Sequence, residues 1–209
     1  TVGREIRKIH TGIPGIIVDR LTDIIINDFS QITFAKDTDK KMWDSIAEDN
    51  SFKDVLKKAT SKMLILGDGA FKISLDENVS KYPIIEFYGA DKVDYVYNRG
   101  RIQEVVFTTE YTYNDMNYFL KEHYGYGCIT YKLYRGMDGT EVALNSIPML
   151  NGLSDVKFDK SLMMAHPIKF GESAKWEGRG QSIFDKKTDD FDALDEAWSQ
   201  WMDALRKGR

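Results

Sequence analysis

Five carboxylates close to the end of the chain, Asp185, Asp189, Asp192, Glu196 and Asp203, recur at intervals that place them on one side of a helix. Carboxylates do acid–base work when an apolar setting raises a pKa, and no acid of this sequence is isolated in such a setting. Metal chemistry fares no better. The three histidines, His10, His123 and His166, are scattered, and there is no HExxH and no cysteine pair. Asp37-Thr38-Asp39 lacks the glycine and the distant glutamate of a calcium loop. Gly67-Asp68-Gly69 and Gly178-Arg179-Gly180 are each a lone Gly-x-Gly without the Gly-Lys-Ser/Thr of a phosphate cradle, and both read as turns. Ser182 lacks the second glycine of a nucleophile elbow and reads as a helix cap. The expectation is a protein with no catalytic residues, no cofactor and no metal.

One aromatic motif bears on nucleic acids. "YGYGCITY", residues 124–131, follows the RNP1 pattern at Gly125, Tyr126, Gly127, Ile129 and Tyr131, where aromatic rings would stack on bases. It departs from that pattern at Tyr124, which replaces the basic residue, and at Cys128, which replaces an aromatic. No helix is predictable between the flanking strands. A glycine-containing hairpin turn is the preferred reading, and a nucleic-acid-binding module built on a Tyr-rich sheet is the alternative.

The elements that would position these residues fall into three zones, which predict an α+β fold. Residues 1–66 read as a helical segment. Ile13, Ile16, Ile17, Leu21, Ile24, Ile25 and Phe29 keep the spacing of one helix face, with Thr11 as a cap and Pro14 in the first turn. A short helix around Lys40 to Glu48 follows, and a third begins at Ser51 with Asp54 completing a capping-box-like pair. Residues 67–178 read as a β-rich wing of antiparallel hairpins, with strands near 71–75, 84–88, 93–97, 102–111, 117–124, 129–134 and 141–144. Residues 179–209 hold a long terminal helix running from Ser182 to Lys207, roughly 39 Å at about 1.5 Å per residue. On it Phe184, Phe191, Leu194, Trp198, Trp201 and Leu205 form one apolar stripe, nearly opposite the five carboxylates. Two readings of that stripe stand open: burial on its own domain, or burial against a partner chain.

Composition sets outer bounds. The 209 residues are 42% hydrophobic and 30% charged, ordinary for a globular chain with a real core. A net charge of −4 argues against a protein that wraps nucleic acid by neutralising phosphates. The single cysteine, Cys128, cannot form an intramolecular disulfide. No apolar run approaches eighteen residues, so no membrane partner is expected. The chain starts at Thr1 and ends on Lys207-Gly208-Arg209, which predicts an excised piece of a longer protein.

Four stretches, "HTGIPGIIVDRLTDIII", "LILGDGAFKISLD", "PIIEFYGADKVDYVYNRGRIQEVVF" and "GRGQSIFDKKTDDFDALDEAWSQW", resemble tailed-bacteriophage portal proteins of phages of Gram-positive bacteria, in order and over nearly the whole chain. The resemblance implies a virion protein assembled in the host cytoplasm: a homo-oligomeric, dodecameric ring at one capsid vertex, through which double-stranded DNA is packaged and ejected. It implies the large terminase, capsid or scaffold proteins and head-completion proteins as partners. This chain would then carry the wing and the first stem helix, truncated before the clip, second stem helix, tunnel loop and crown. The apolar stripe would pack against the stem and neighbouring subunits. Asp185, Asp189, Asp192, Glu196 and Asp203 would line the channel, or else simply face solvent. Arg4, Arg7 and Lys8 are assigned no role.

Overall fold

The computed structural model describes residues 8–29, 32–136 and 138–208, so Arg4 and Arg7 lie outside the described residues. The fold is α+β. Three helices, α1 (Ile13–Asp28), α2 (Asp37–Asp49) and α3 (Phe52–Leu66), precede the strands, and α4 (Thr188–Lys207) closes the chain. Pro14 sits in the first turn of α1, where its missing N–H costs nothing. The expected Thr11 cap does not form: Gly12, at φ 72°, occupies the N-cap, and the Thr11 hydroxyl bonds elsewhere. Helix α1 packs on α3 through Val18, Thr22 and Ile26, one residue every turn. Ile13, Ile16, Leu21, Ile24, Ile25 and Phe29 of the expected stripe remain exposed. This helix is apolar around most of its circumference, so periodicity alone could not choose the buried face.

Helix α2 starts three residues earlier than expected, and Asp37 and Asp39 fall in its first turn, where carboxylates complement the positive helix end. That placement accounts for the Asp-Thr-Asp triplet without a metal. Ser51 precedes α3 but makes no side-chain cap, because its own backbone is left-handed at φ 47°. The capping-box expectation therefore fails.

The strands form two sheets rather than one meander. The first is three-stranded, in the order β2 (Ile84–Gly89), β1 (Asp68–Ser74), β9 (Ala165–Lys169), all antiparallel. The second runs β3 (Val93–Asn98), β4 (Arg101–Tyr113), β5 (Met116–Gly125), β6 (Cys128–Arg135), β7 (Thr140–Val142), with the short β8 (Val156–Lys157) also pairing β6. Helix α3 covers the smaller sheet. Between the sheets, Ala70 of β1 and Ala165 of β9 meet Val93, Val105, Phe107, Tyr124 and Ile129. A second cluster, around Leu120, Leu133, Ile147 and Leu150, closes the far end of the larger sheet.

A charge sits in that core. Lys72 of β1 is 6% exposed and Glu122 of β5 is 8% exposed. Lys72 Nζ lies 3.1 and 3.3 Å from the two Glu122 oxygens, and 3.3 Å from both Glu86 Oε2 and the Tyr88 hydroxyl. Burial alone would push the ammonium pKa down, but the carboxylates of Glu122 and Glu86 outweigh it and raise the pKa above the ordinary lysine value. The same burial pushes the Tyr124 phenol upward. The two sheets are thus joined by one ion pair within an aromatic box, with Lys72 also 4.8 Å from the Tyr88 ring centroid.

Candidate functional site

Helix α4 owes its position to the two Gly-x-Gly motifs, which interlock. The chain leaves β9 and returns over the α3–β1 junction. The N–H of Phe170 donates to the carbonyl of Gly67 at 2.8 Å, that of Gln181 to Phe170 at 2.9 Å, and that of Ile183 to Leu64 at 3.1 Å. Asp68, 1% exposed, accepts from Arg179 Nε at 3.0 Å and from the Gly180 N–H at 2.7 Å on one oxygen. The Arg179 guanidinium also donates to the carbonyls of Val93 and Ala90, each at 2.8 Å, and stacks over Tyr95. Glycine is required at two of these positions because the backbones touch. A Cβ on Gly67 would come within 2.7 Å of the Gly180 carbonyl carbon, and one on Gly180 would run into the Gly67 carbonyl oxygen.

The helix itself begins at Thr188, not Ser182, so Phe184 and Asp185 belong to the turn that precedes it. Its 20 residues span about 30 Å at 1.5 Å per residue, shorter than expected. Phe184 still meets Phe191 edge to face, with centroids 5.7 Å apart, and so packs the corner at the start of the helix. Leu194, Trp198, Trp201 and Leu205 share one face and remain exposed, the indoles at 40% and 53%. The two indoles touch each other, with centroids 5.1 Å apart. At about 100° per residue, Asp189, Asp192, Glu196 and Asp203 lie on the opposite face.

Not all of that acidic face is bare. Lys8 Nζ pairs with Asp192 at 2.9 Å, Lys207 pairs with Asp203 one turn away, and Gln200 donates to Glu196 at 3.1 Å. Asp185 accepts from Gln181 at 2.8 Å in the preceding turn. Between the acidic and apolar faces runs a strap, residues 8–11. The Ile9 N–H donates to Ser199 Oγ at 2.8 Å; the Thr11 N–H and hydroxyl donate to Asp195 Oδ1 at 2.9 and 2.8 Å; His10 Nδ1 lies 2.8 Å from Asp195 Oδ2. Lys8, Asp189, Asp192, Glu196 and Ser199 line an open recess of about 500 Å³ beside it.

Asp195 and Ser199 escaped the sequence reading. They are one turn apart on the margin between the two stripes, and both are buried. Two short polar residues at i and i+4 on such a margin were the available signal. The bonds from Thr11 and His10 hold the Asp195 carboxyl well below the ordinary aspartate range, to about 2. A depressed carboxyl pKa stabilises the folded contact above the unfolded value of about 3.9, and that stabilisation is lost as the pH falls towards 2. The carboxyl-carbon resonance of Asp195 is therefore expected to show its own protonation step only at strongly acid pH, with a midpoint near 2. A midpoint near 4 would mean that the carboxylate is not held in this way.

The RNP1-like segment forms the β5–β6 hairpin. Gly127, at φ 73°, makes the turn, Tyr124 is enclosed in the core, and Tyr131 packs against both clusters. Tyr126 alone of the three rings is exposed. No helix among the described residues is long and apolar enough to cross a membrane. No protein family matches this chain by sequence, and no curated protein does either.

Proposed function

We propose that this chain is the wing and first stem helix of a portal-like protein of a tailed bacteriophage, a structural component of the virion rather than an enzyme. The full-length protein would form a dodecameric ring at one capsid vertex, pass double-stranded DNA through its centre, and meet the large terminase, capsid or scaffold proteins and head-completion proteins. The sequence resemblance suggests the family. The observation that carries the reading is the state of α4, where two neighbouring indoles and two leucines stand exposed along one face while carboxylates occupy the other. A contiguous apolar stripe on a helix is costly to leave in water and marks a surface that is covered in the assembled state. The opposite face suits a channel wall. Each phosphate that a wall neutralises adds affinity through counterion release and would slow a moving duplex. A negative wall instead repels the DNA, over a range limited by screening to about 8–10 Å.

Two experiments test this. Mass photometry of the full-length protein is expected to show a ring, and a monomer at all concentrations would remove the reading. In a packaging assay, Asp192→Lys/Glu196→Lys is expected to slow or stall DNA entry. Lys8→Gln, which loses the pair with Asp192 but keeps the wall negative, is expected to package normally. Normal packaging by the double lysine variant would take the carboxylates off the channel wall.

A further inference from the structure

Helix α4 is held in an unusual way. Among the described residues, no helix or strand packs along it beyond isolated contacts. Its apolar face is open, and among the described residues its start is fixed by the turn after Ile183 and by the Phe184–Phe191 contact. The lateral support comes from the strap, whose bonds all end on Asp192, Asp195 and Ser199, spaced over two turns. Every one of those bonds is polar, and Lys8 and His10 are themselves largely exposed, while Ile9 between them is half-buried. Both ends of the arrangement carry left-handed backbone. Gly12, between strap and α1, has φ 72° and open space around its Cα; Lys186, just before α4, has φ 62°. A left-handed lysine is a strained joint that persists only while its surroundings hold it.

We infer that residues 8–11 are a releasable clasp that sets the direction of α4 relative to the rest of the fold, so that the helix has a clasped and an unclasped orientation. When the strap lets go, α4 turns about the joint at Lys186 as a rigid rod, while the Asp68–Arg179 lock keeps the linker before it in place. The helix does not need the strap to remain helical, because Asp189 and Asp190 in its first turn and Arg206 and Lys207 in its last complement its dipole. Asp195 and Ser199 are the receptor. They take the main-chain N–H groups of Ile9 and Thr11, so they read an extended backbone more than a particular side chain. The clasp is independent of what covers the tryptophan stripe, which lies on a different face of the helix.

The test uses the whole chain with spin labels at Glu110→Cys and Arg206→Cys, both exposed, in a Cys128→Ser background. The parent is expected to give one narrow inter-label distance. Asp195→Asn/Ser199→Ala is expected to broaden and shift that distance, with unchanged helix content by circular dichroism and loss of hydrogen-exchange protection at the Ile9 and Thr11 amides. Lys8→Glu, at the exposed end of the strap and facing Asp192, should broaden it in the same sense without touching a buried group. An unchanged narrow distance in both variants would show that something else holds α4 and would overturn the clasp. A broad distance already in the parent would overturn it equally.

Discussion

Lys72→Met is expected to lower the stability of the fold by about 3–5 kcal/mol, the usual cost of removing one partner from a buried ion pair. The physical reason lies with what remains. Glu122 stays enclosed between two sheets, 8% exposed in the parent, and its oxygens have lost the ammonium that stood 3.1 and 3.3 Å from them. Glu86 also pairs with Lys72, but its side chain is half-open and can turn to water. Glu122 has no such outlet, because its side chain is buried. In the double variant Lys72→Met/Glu122→Leu both charges are gone, and stability is expected to return to near the parent value, since apolar replacements of such pairs are often neutral or better. Urea denaturation of the two variants measures both effects. Equal losses in the single and the double variant would mean that packing volume, and not charge, is what Lys72 supplies.

That lysine also marks where sequence reading stops. Strand alternation is visible in Asp68–Ser74, but Phe71 and Ile73 are the natural choice for its core face. In the structure it is Lys72, on the face it shares with Ala70, that enters the space between the sheets, while Phe71 meets Phe87 edge to face. Local pattern found seven of the strands to within a few residues, because each hairpin carries its own turn. Arg99 and Gly100, at φ 49° and 74°, are such a turn. It could not find the pairing of β1 with β9, whose residues lie about a hundred positions apart, and so it merged two sheets into one meander. On α4 the stripe and its opposing carboxylates were legible from spacing alone, since one long helix has a single geometry. Its first turn was not. Residues 182–187 keep the apolar period, yet their backbone is claimed by Leu64 and turned left-handed at Lys186. The strap was out of reach for the same reason as β9: its bonds join residues more than 180 positions apart.

The interlocked glycine motifs make the second large prediction. Asp68→Ala should destabilise the protein by about 2–3 kcal/mol, in the range for hydrogen bonds to a buried charged group. The Gly180 N–H loses its acceptor, and the Arg179 guanidinium loses its closest carboxylate while keeping the carbonyls of Val93 and Ala90. Asp94, at 3.6 Å and largely exposed, offers only a screened substitute. If the pair acts as a unit, Arg179→Met in the Asp68→Ala background should cost much less than it does alone, and a double-mutant cycle measures that difference. Gly180→Ala attacks the same lock by volume instead of charge. Its methyl group has no space beside the Gly67 carbonyl, so either the linker or the α3–β1 junction must move. Moving the linker changes where α4 leaves the fold, whereas moving the junction disturbs Asp68 and the start of β1. The inter-label distance between Glu110 and Arg206 positions separates the two: a shifted distance with near-parent stability means the linker yields, and an unshifted one with a loss resembling Asp68→Ala means the junction does. The junction runs straight into β1, which is paired on both sides, with β2 and with β9, so the linker is expected to be the part that yields.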